Sequence, residues 1–175
     1  MKTVVVGCGR VGAELAELFD RAGYEVVVLD TETRAFDRLP AAFGGTAVRG
    51  DGTDEDTLRR AGAEDADLFL AMTEGDNRNV MAAQLAVEAL GARKVVAKVN
   101  DPLRAHAYAD LGLATLCRTT LMADAVSAYM GLPVSGTPGI FTPTGSHHGG
   151  EHHELADGGT RSPDRARNPV ATKEA

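Results

Sequence analysis

The sequence contains no tryptophan and only two cysteines, and aromatic residues make up 5% of its 175 residues. Cys8 and Cys117 are far apart and match no spacing of metal ligands, so we expect neither a disulfide framework nor a cysteine metal site. Long apolar runs are also missing, since a membrane-spanning helix needs about 20 apolar residues and the longest runs here have strand length. Nothing at the N-terminus resembles a signal peptide. These absences predict a cytoplasmic protein that meets a membrane only through a partner.

An excess of positive charge is lacking as well. The chain has 18 Lys and Arg against 25 Asp and Glu, a formal net charge of −7. Residues 1–130 alone carry 14 basic and 20 acidic residues. Nucleic acid and anionic lipid bind to broad positive surfaces, which this balance disfavours. A small anionic ligand in a local pocket remains compatible with it.

Apolar residues are scarce in one part of the chain, residues 131–175. This segment holds five of the seven prolines, eight of the 20 glycines and four of the five histidines. Such a composition buries too little apolar surface to offset the entropy of ordering, so we predict a disordered tail. The run from His147 to Glu154 could bind divalent metals opportunistically, but we predict no metal site there. Residues 1–130 then form one domain, too short for a two-domain enzyme.

Within residues 1–130, short β-branched runs alternate with stretches of helical period. This βα rhythm predicts an α/β fold of three layers, Rossmann-like, with a six-stranded parallel sheet. The predicted strands are Thr3 to Val6, Glu25 to Leu29, Thr46 to Val48, Leu68 to Met72, Lys94 to Val99 and Thr115 to Cys117. The predicted helices are Val11 to Arg21, Glu32 to Leu39, Asp54 to Ala61, Asn77 to Leu90, Leu103 to Leu111 and Thr120 to Met130. Gly23, Gly62, Gly91 and Gly112 follow four of these helices, where a left-handed cap is expected.

A glycine pattern lies between the first strand and the first helix, in the run Gly7-Cys8-Gly9-Arg10-Val11-Gly12. In a dinucleotide fingerprint the first glycine permits a tight turn, the second lets backbone approach a pyrophosphate, and the third allows close packing of helix and strand. The amide groups that open the helix supply an anion site. Asp30 ends the second strand, where a carboxylate accepts hydrogen bonds from ribose hydroxyls and repels the 2′-phosphate of NADP. The pattern therefore predicts nucleotide binding at this loop.

Other polar residues follow the remaining strands at the same predicted edge. Arg10 is either solvated or a bidentate ligand of phosphate oxygens. Asp51, in the run Gly50-Asp51-Gly52-Thr53-Asp54, either meets an adenine amino group or braces its loop, whereas Asp54 is expected to cap the next helix. Thr73 ends the fourth strand, and the nearby Asp76 is a second candidate cap. Lys98 ends the fifth strand, where its ammonium could neutralise a phosphate or a neighbouring carboxylate.

Taken together, these residues resemble a known family. The glycine run, Asp30, the Gly-Asp-Gly-Thr-Asp run and the later run of Thr73 with Asp76, Asn77 and Asn79 are similar to the N-terminal domain that regulates potassium conductance, called RCK or KTN. The domain occurs in TrkA-type subunits of bacterial potassium uptake systems and in the gating rings of potassium channels. The resemblance covers about residues 1–120 and places the domain within residues 1–130.

The resemblance implies a sensor rather than an enzyme. It implies that NAD, NADH, ATP or ADP binds in the glycine cleft and changes how domains pair beneath a membrane potassium transporter or channel subunit. Gly7, Gly9, Gly12, Asp30 and Asp51 inherit contacts to phosphate, ribose and adenine, and Arg10 inherits a phosphate contact that can separate triphosphate from diphosphate. We expect further contacts to the nucleotide from Cys8, Val11, Gly52, Thr53, Thr73 and Lys98. Fuller family members continue into a small effector-binding domain, which residues 131–175 cannot form.

Three further expectations concern partners and chemistry. The resemblance implies a homodimer or larger ring, with the apolar helices Leu103 to Leu111 and Thr120 to Met130 as contacts. It places the protein at the inner face of the plasma membrane through its partner. An NAD-dependent oxidoreductase, or a redox-sensing Rossmann protein unrelated to potassium, is the alternative. The enzyme is disfavoured because hydride transfer needs a substrate pocket that a second domain or long insertion normally supplies.

Overall fold

The computed structural model describes residues 1–135 and 139–143. The strands are β1 (Lys2–Val6), β2 (Glu25–Asp30), β3 (Thr46–Arg49), β4 (Leu68–Ala71), β5 (Val95–Lys98), β6 (Thr115–Leu116) and β7 (Ile140–Phe141). The helices are α1 (Arg10–Arg21), α2 (Glu55–Arg60), α3 (Asp76–Glu88), α4 (Pro102–Asp110) and α5 (Arg118–Tyr129). A 3-10 helix, Thr33–Arg38, replaces the helix predicted between β2 and β3.

The strands form one sheet in the order β3-β2-β1-β4-β5-β6-β7. Strands β1 to β6 run parallel, which confirms the predicted six-stranded parallel sheet. The chain order reverses between β1 and β4, and in such sheets ligands bind at this point, outside the carboxyl ends of the strands. Val6 is paired with both Leu29 and Ala71. Three strands therefore end at one level, and the loops after them meet.

Strand β7 was not predicted. Ile140 pairs with Leu116 in antiparallel register, and the Cys117 amide donates to the Gly139 carbonyl at 2.9 Å. These residues fall within the predicted tail because residues 131–175 are rich in proline, glycine and histidine and poor in apolar residues. Backbone pairing with the edge strand β6 nevertheless brings them to the sheet. The rest of the predicted tail, residues 136–138 and 144–175, lies outside the described residues, and so does the histidine run 147–154.

Helices cover both faces of the sheet, and the alternation of β1 shows how the core divides. Val4 and Val6 pack with Leu58 of α2 and the buried alanines of α3 on one face, whereas Val5 packs with Ala13 and Ala16 of α1 on the other. Helix α5 differs because none of its residues is buried. In the described part of the chain, no helix has the length and hydropathy needed to cross a membrane.

Helix ends follow the sequence closely. Gly23, Gly62, Gly91 and Gly112 all have positive φ, as predicted, and Gly131 has it as well. Asp54 and Asp101 cap α2 and α4 by accepting hydrogen bonds from backbone amides of the first turn. The predicted cap Asp76 is instead the first residue of α3, which Gly75 precedes.

Candidate functional site

The glycine loop between β1 and α1 is pressed against the end of β4. Gly7 has a φ of +99°, and a Cβ there would lie 2.8 Å from the Thr73 amide nitrogen. A Cβ on Gly12 would overlap the carbonyl oxygen of Gly7. Gly9 differs, since a Cβ on it would meet nothing within 4 Å. The first and third glycines therefore allow close packing, and the backbone at the second is open to a ligand.

Asp30 fastens this loop to the end of β2. Its Oδ2 accepts a hydrogen bond from the Cys8 amide at 2.7 Å, and its Oδ1 accepts one from the Glu32 amide at 2.9 Å. Each carboxylate oxygen can accept more than one hydrogen bond, so both keep capacity for ribose hydroxyls. Asp30 thus has a structural function that its position in sequence did not indicate.

The loop after β3 is braced by its own aspartates. Asp51 Oδ1 accepts from the Thr53 amide at 2.9 Å and from the Thr53 hydroxyl at 2.8 Å. These two hydrogen bonds hold the pKa of Asp51 below its usual value, so Asp51 is ionised at neutral pH. A Cβ on Gly52 would overlap the Val6 side chain, so the loop packs directly on β1. Asp51 braces the loop and still lines the cavity described below.

Buried polar groups join the loops after β4 and β5. Asn79 is fully buried; its Oδ1 accepts from the amide and hydroxyl of Thr73 at 2.8 and 2.7 Å. Its Nδ2 donates to the carbonyl oxygens of Thr73 and Lys98 at 3.0 and 2.8 Å. Nearby, Asp76 Oδ1 accepts from the Asn100 amide at 3.0 Å. These bonds hold the ends of β4 and β5 at fixed separation.

Two neighbouring cavities open over these loops, and they share Gly9, Met72 and Glu74. The first cavity has a volume of about 150 Å³ and lies on the Asp30 side; the second has about 260 Å³ and lies on the Lys98 side. Six predicted contacts line the first: Gly7, Gly9, Asp30, Asp51, Gly52 and Thr73. Gly9, Arg10, Val11 and Lys98 line the second.

The three remaining predicted contacts line neither cavity. The Cys8 side chain is fully buried, and burial, with Asp30 nearby, raises the pKa of its thiol. Its amide is what contributes, through Asp30. Gly12 packs on Gly7, and Thr53 donates to Asp51. These three residues line neither cavity but hold the glycine loop and the loop after β3 in place.

Two basic residues of the cavities were missed by the sequence reasoning. Arg78 lines the first cavity and Arg118 the second. Both lie in first turns, Arg78 in α3 and Arg118 in α5. A search for basic residues in the first turn of every helix that follows a strand would have found them, because those turns face the carboxyl edge of the sheet.

The residues present fit an adenine nucleotide. An open glycine backbone at a helix N-terminus suits phosphate, and a carboxylate at the end of β2 suits a ribose. For the second cavity, Lys98 is 3% exposed, and burial lowers the pKa of its ammonium, an effect that Glu74 partly opposes. Among the described residues, no group of three or more histidine, cysteine or acidic side chains is arranged to hold a metal ion.

The fold and the glycine loop define a Rossmann-type domain of the class that binds nucleotides at the strand-order reversal. The chain belongs to the TrkA-N domain family, whose family model matches residues 3–119. It is 41% identical over 153 residues to the Trk system potassium uptake protein TrkA of Streptomyces coelicolor, which covers 87% of this chain and 68% of that protein. It is 31% identical over 113 residues to the TrkA homolog of Methanothermobacter thermautotrophicus, covering 65% of this chain and 52% of that one. The chain thus spans about half to two thirds of these relatives.

Solved structures agree on the fold. The TrkA-N domain of the inner membrane protein ybaL from Escherichia coli superposes with a TM-score of 0.66 at 19% identity, covering 74% of this chain and 96% of that one. GsuK bound to ADP superposes with a TM-score of 0.62 at 21% identity, covering 73% of this chain and 33% of that one. The Kef C-terminal domain of Shewanella denitrificans in its AMP-bound form gives 0.61 at 24% identity, with coverages of 73% and 78%.

Proposed function

We propose that this chain is a cytoplasmic nucleotide-sensing regulatory subunit of a potassium uptake transporter or channel. It binds NAD(H) or ATP and ADP in the first cavity and acts by changing its contacts with a membrane partner rather than by catalysis. The observation that carries the proposal is the first cavity itself, where the open backbone of Gly9 and the carboxylate of Asp30 face one space. The potassium assignment is supported by the relatives, which are named Trk system potassium uptake proteins.

Different residues of the site contact different parts of the nucleotide. Asp30 accepts from the ribose hydroxyls, the amides of the glycine loop hold phosphate, and Asp51 Oδ2 is available to an adenine amino group because Thr53 occupies Oδ1. Arg78 places a positive charge at the same cavity. Proteins of the same fold support an adenine nucleotide, since GsuK is described with ADP and the Kef domain with AMP.

Calorimetric titration of the full chain with NAD, NADH, NADP, ATP and ADP tests the nucleotide assignment. We expect micromolar binding, with NADP weakest because Asp30 repels a 2′-phosphate. Asp30→Ala should weaken NAD and ADP at least tenfold and reduce the preference for NAD over NADP, which a purely structural loss would not change. Asp56→Ala, an exposed carboxylate on α2, is the matched control. Absence of binding by all five nucleotides would refute the sensor.

Potassium uptake by cells tests the other half of the proposal. Rubidium uptake should fall when the gene is deleted from its native host and recover with the wild-type chain but not with Asp30→Ala. The same purified variant should remain folded by circular dichroism, so that the defect reports on the site. If both chains restore rubidium uptake equally, transport does not depend on the nucleotide site, and the regulatory assignment is contradicted.

We also propose that the protein forms a homodimer or larger ring through α5. Met122, Val126 and Met130 recur at helical spacing and are 63%, 64% and 63% exposed. A contiguous apolar stripe of this kind is typical of an interaction surface, and the resemblance to ring-forming domains favours a second copy as its occupant. Sedimentation should show a dimer at micromolar concentration, and Val126→Asp should give a monomer. Only monomer at high concentration, with and without nucleotide, would refute the association.

A further inference from the structure

A further cavity opens at the amino edge of the sheet, the edge opposite the glycine loop. It lies beside the start of β5 and the residues before β6, and the antiparallel strand β7 brings Thr142 and Pro143 to the same place. Its volume is about 430 Å³, larger than that of either cavity at the nucleotide edge, and it shares no described residue with them. We call it the amino-edge cavity. The nucleotide site therefore gives it no function.

The walls of the amino-edge cavity are mainly aliphatic. Leu113 is buried, whereas Val87 and Ile140 are 46% and 45% exposed, and all three line the cavity. Two half-exposed aliphatic side chains thus border one concave space. An aliphatic side chain placed between them would remove apolar surface from water on both partners, which favours its binding there.

The charge of the cavity lining is positive. Arg93 and Lys94 line it, and no acidic residue of the described part of the chain does. Arg93 is paired with Asp67, at 3.0 Å from guanidinium Nη1 to Oδ1. The Lys94 ammonium has no carboxylate within 4 Å in residues 1–135 and 139–143. In a chain of net charge −7, such a lining favours an acidic ligand.

The chain carries a segment of matching chemistry directly after the cavity wall. Residues 144–160 follow Pro143 and contain Glu151, Glu154 and Asp157 but no lysine or arginine. Leu155 is their only residue of the types Val, Ile, Leu, Met, Phe and Tyr. The segment combines one apolar side chain with carboxylates on both sides of it, as the cavity combines aliphatic walls with basic side chains.

The covalent connection favours this segment over a separate molecule. Leu155 lies 12 residues after Pro143. A chain of that length spans at most about 40 Å, so it can return to the cavity wall from which it starts. The entropy cost of closing a loop rises only slowly with its length, and short peptide linkers give effective concentrations of about 1 mM. A contact with a Kd of about 1 mM would then be formed in about half of the molecules.

We propose that the amino-edge cavity is the docking site of the acidic segment 151–157. Leu155 enters the aliphatic space between Val87 and Ile140, and the carboxylate of Glu154 pairs with the Lys94 ammonium. The contact needs no nucleotide, so it stands or fails separately from the proposed function.

Methyl NMR of the full chain detects the contact at the cavity. Leu155→Ser removes the apolar side chain and should shift the methyl signals of Val87 and Ile140. Val170→Ser is the matched control, because Val170 is the other large aliphatic residue of residues 144–175, and it should leave these signals in place. Cavity methyls that do not respond to Leu155→Ser, or respond equally to both substitutions, would refute the docking.

Cleavage of the full chain by a glutamate-specific protease detects the same contact in the segment. At low salt, Lys94→Glu should speed cleavage after Glu151 about threefold, because undocked chain is open to the protease. Arg21→Glu, a change of the same sign on α1, should not alter the rate. Combining Lys94→Glu with Glu154→Lys restores opposite charges and should return the rate toward that of the wild type.

Three results of the cleavage experiment would overturn the proposal. An unchanged rate in Lys94→Glu would show that this ammonium holds no segment. A rate that does not recover in the charge-reversed pair would remove Glu154 as its partner. Protection that grows with protein concentration would assign the cavity to the segment of a second copy and refute a contact within one chain.

Discussion

At the scale of single residues, Asn79 holds the site together most directly. It is the one side chain among the described residues that bonds both Thr73 and the Lys98 backbone, through four hydrogen bonds. Asn79→Ala would leave several buried polar groups without partners and should lower the free energy of unfolding by about 3 kcal/mol. Urea denaturation measures this, with Asn77→Ala, exposed on the same helix turn, as control. Equal effects of the two substitutions would contradict the conclusion that the hydrogen bonds of Asn79 stabilise the fold.

A second prediction concerns the effect of Lys98 on the stability of the fold and on its pH dependence. Burial lowers the pKa of the folded ammonium below the unfolded value, so between these two values the unfolded chain binds more protons. The contribution of Lys98 to the free energy of unfolding therefore rises with pH between the two pKa values. At neutral pH the charged ammonium lowers the stability of the fold. Lys98→Met should raise the Tm at pH 7, and its advantage should shrink toward pH 10. A Tm that falls at pH 7 would show that the ammonium has a stabilising partner.

At the scale of elements, different glycines of the glycine loop serve packing and ligand contact. Gly12→Ala should destabilise the fold by several kcal/mol, because the new methyl meets the Gly7 backbone, which cannot move aside. Gly9→Ala should change stability by less than about 1 kcal/mol, since the φ there is −74° and the methyl enters open space. It should nevertheless weaken nucleotide binding at least tenfold, because we propose that the backbone contacts phosphate in that space. Thermal melts and titration together check the pair. Tight binding by Gly9→Ala would place the phosphate elsewhere.

The loop also shows how far sequence reasoning reaches. Glycine spacing, a carboxylate at the end of β2 and the βα rhythm predicted the parallel sheet and six of the residues that line the first cavity. These features depend on local backbone geometry, which residue type restricts strongly. The tertiary hydrogen bonds were not predictable, since nothing in the sequence pairs Asp30 with the Cys8 amide. Strand β7 was missed for a related reason: an edge accepts backbone partners irrespective of their side chains.

At the scale of the whole molecule, regulation requires that a ligand binds two assembly states unequally. The cavities lie at the carboxyl edge, and Arg118 connects the second of them to the first turn of α5, whose apolar stripe we propose as the contact between copies. A ligand that contacts Arg118 can therefore shift the position of α5 and change the proposed contact between copies. Helix α5 lines the second cavity through Arg118 and carries the proposed interface, so ligand binding beside Arg118 and association of copies should be coupled.

That coupling must be reciprocal, which gives a quantitative test. If ADP or ATP tightens the dimer by some factor, dimer formation must tighten nucleotide binding by the same factor, within the 5-fold to 150-fold range that is usual for such coupling. Sedimentation equilibrium with and without nucleotide measures the first factor, and titrations at protein concentrations below and above the dimer dissociation constant measure the second. Val126→Asp should abolish the concentration dependence while keeping the monomer's affinity, because Val126 lines neither cavity. A nucleotide that leaves the dimer constant unchanged would rule out gating through α5, since a ligand with equal affinity for both states shifts no equilibrium.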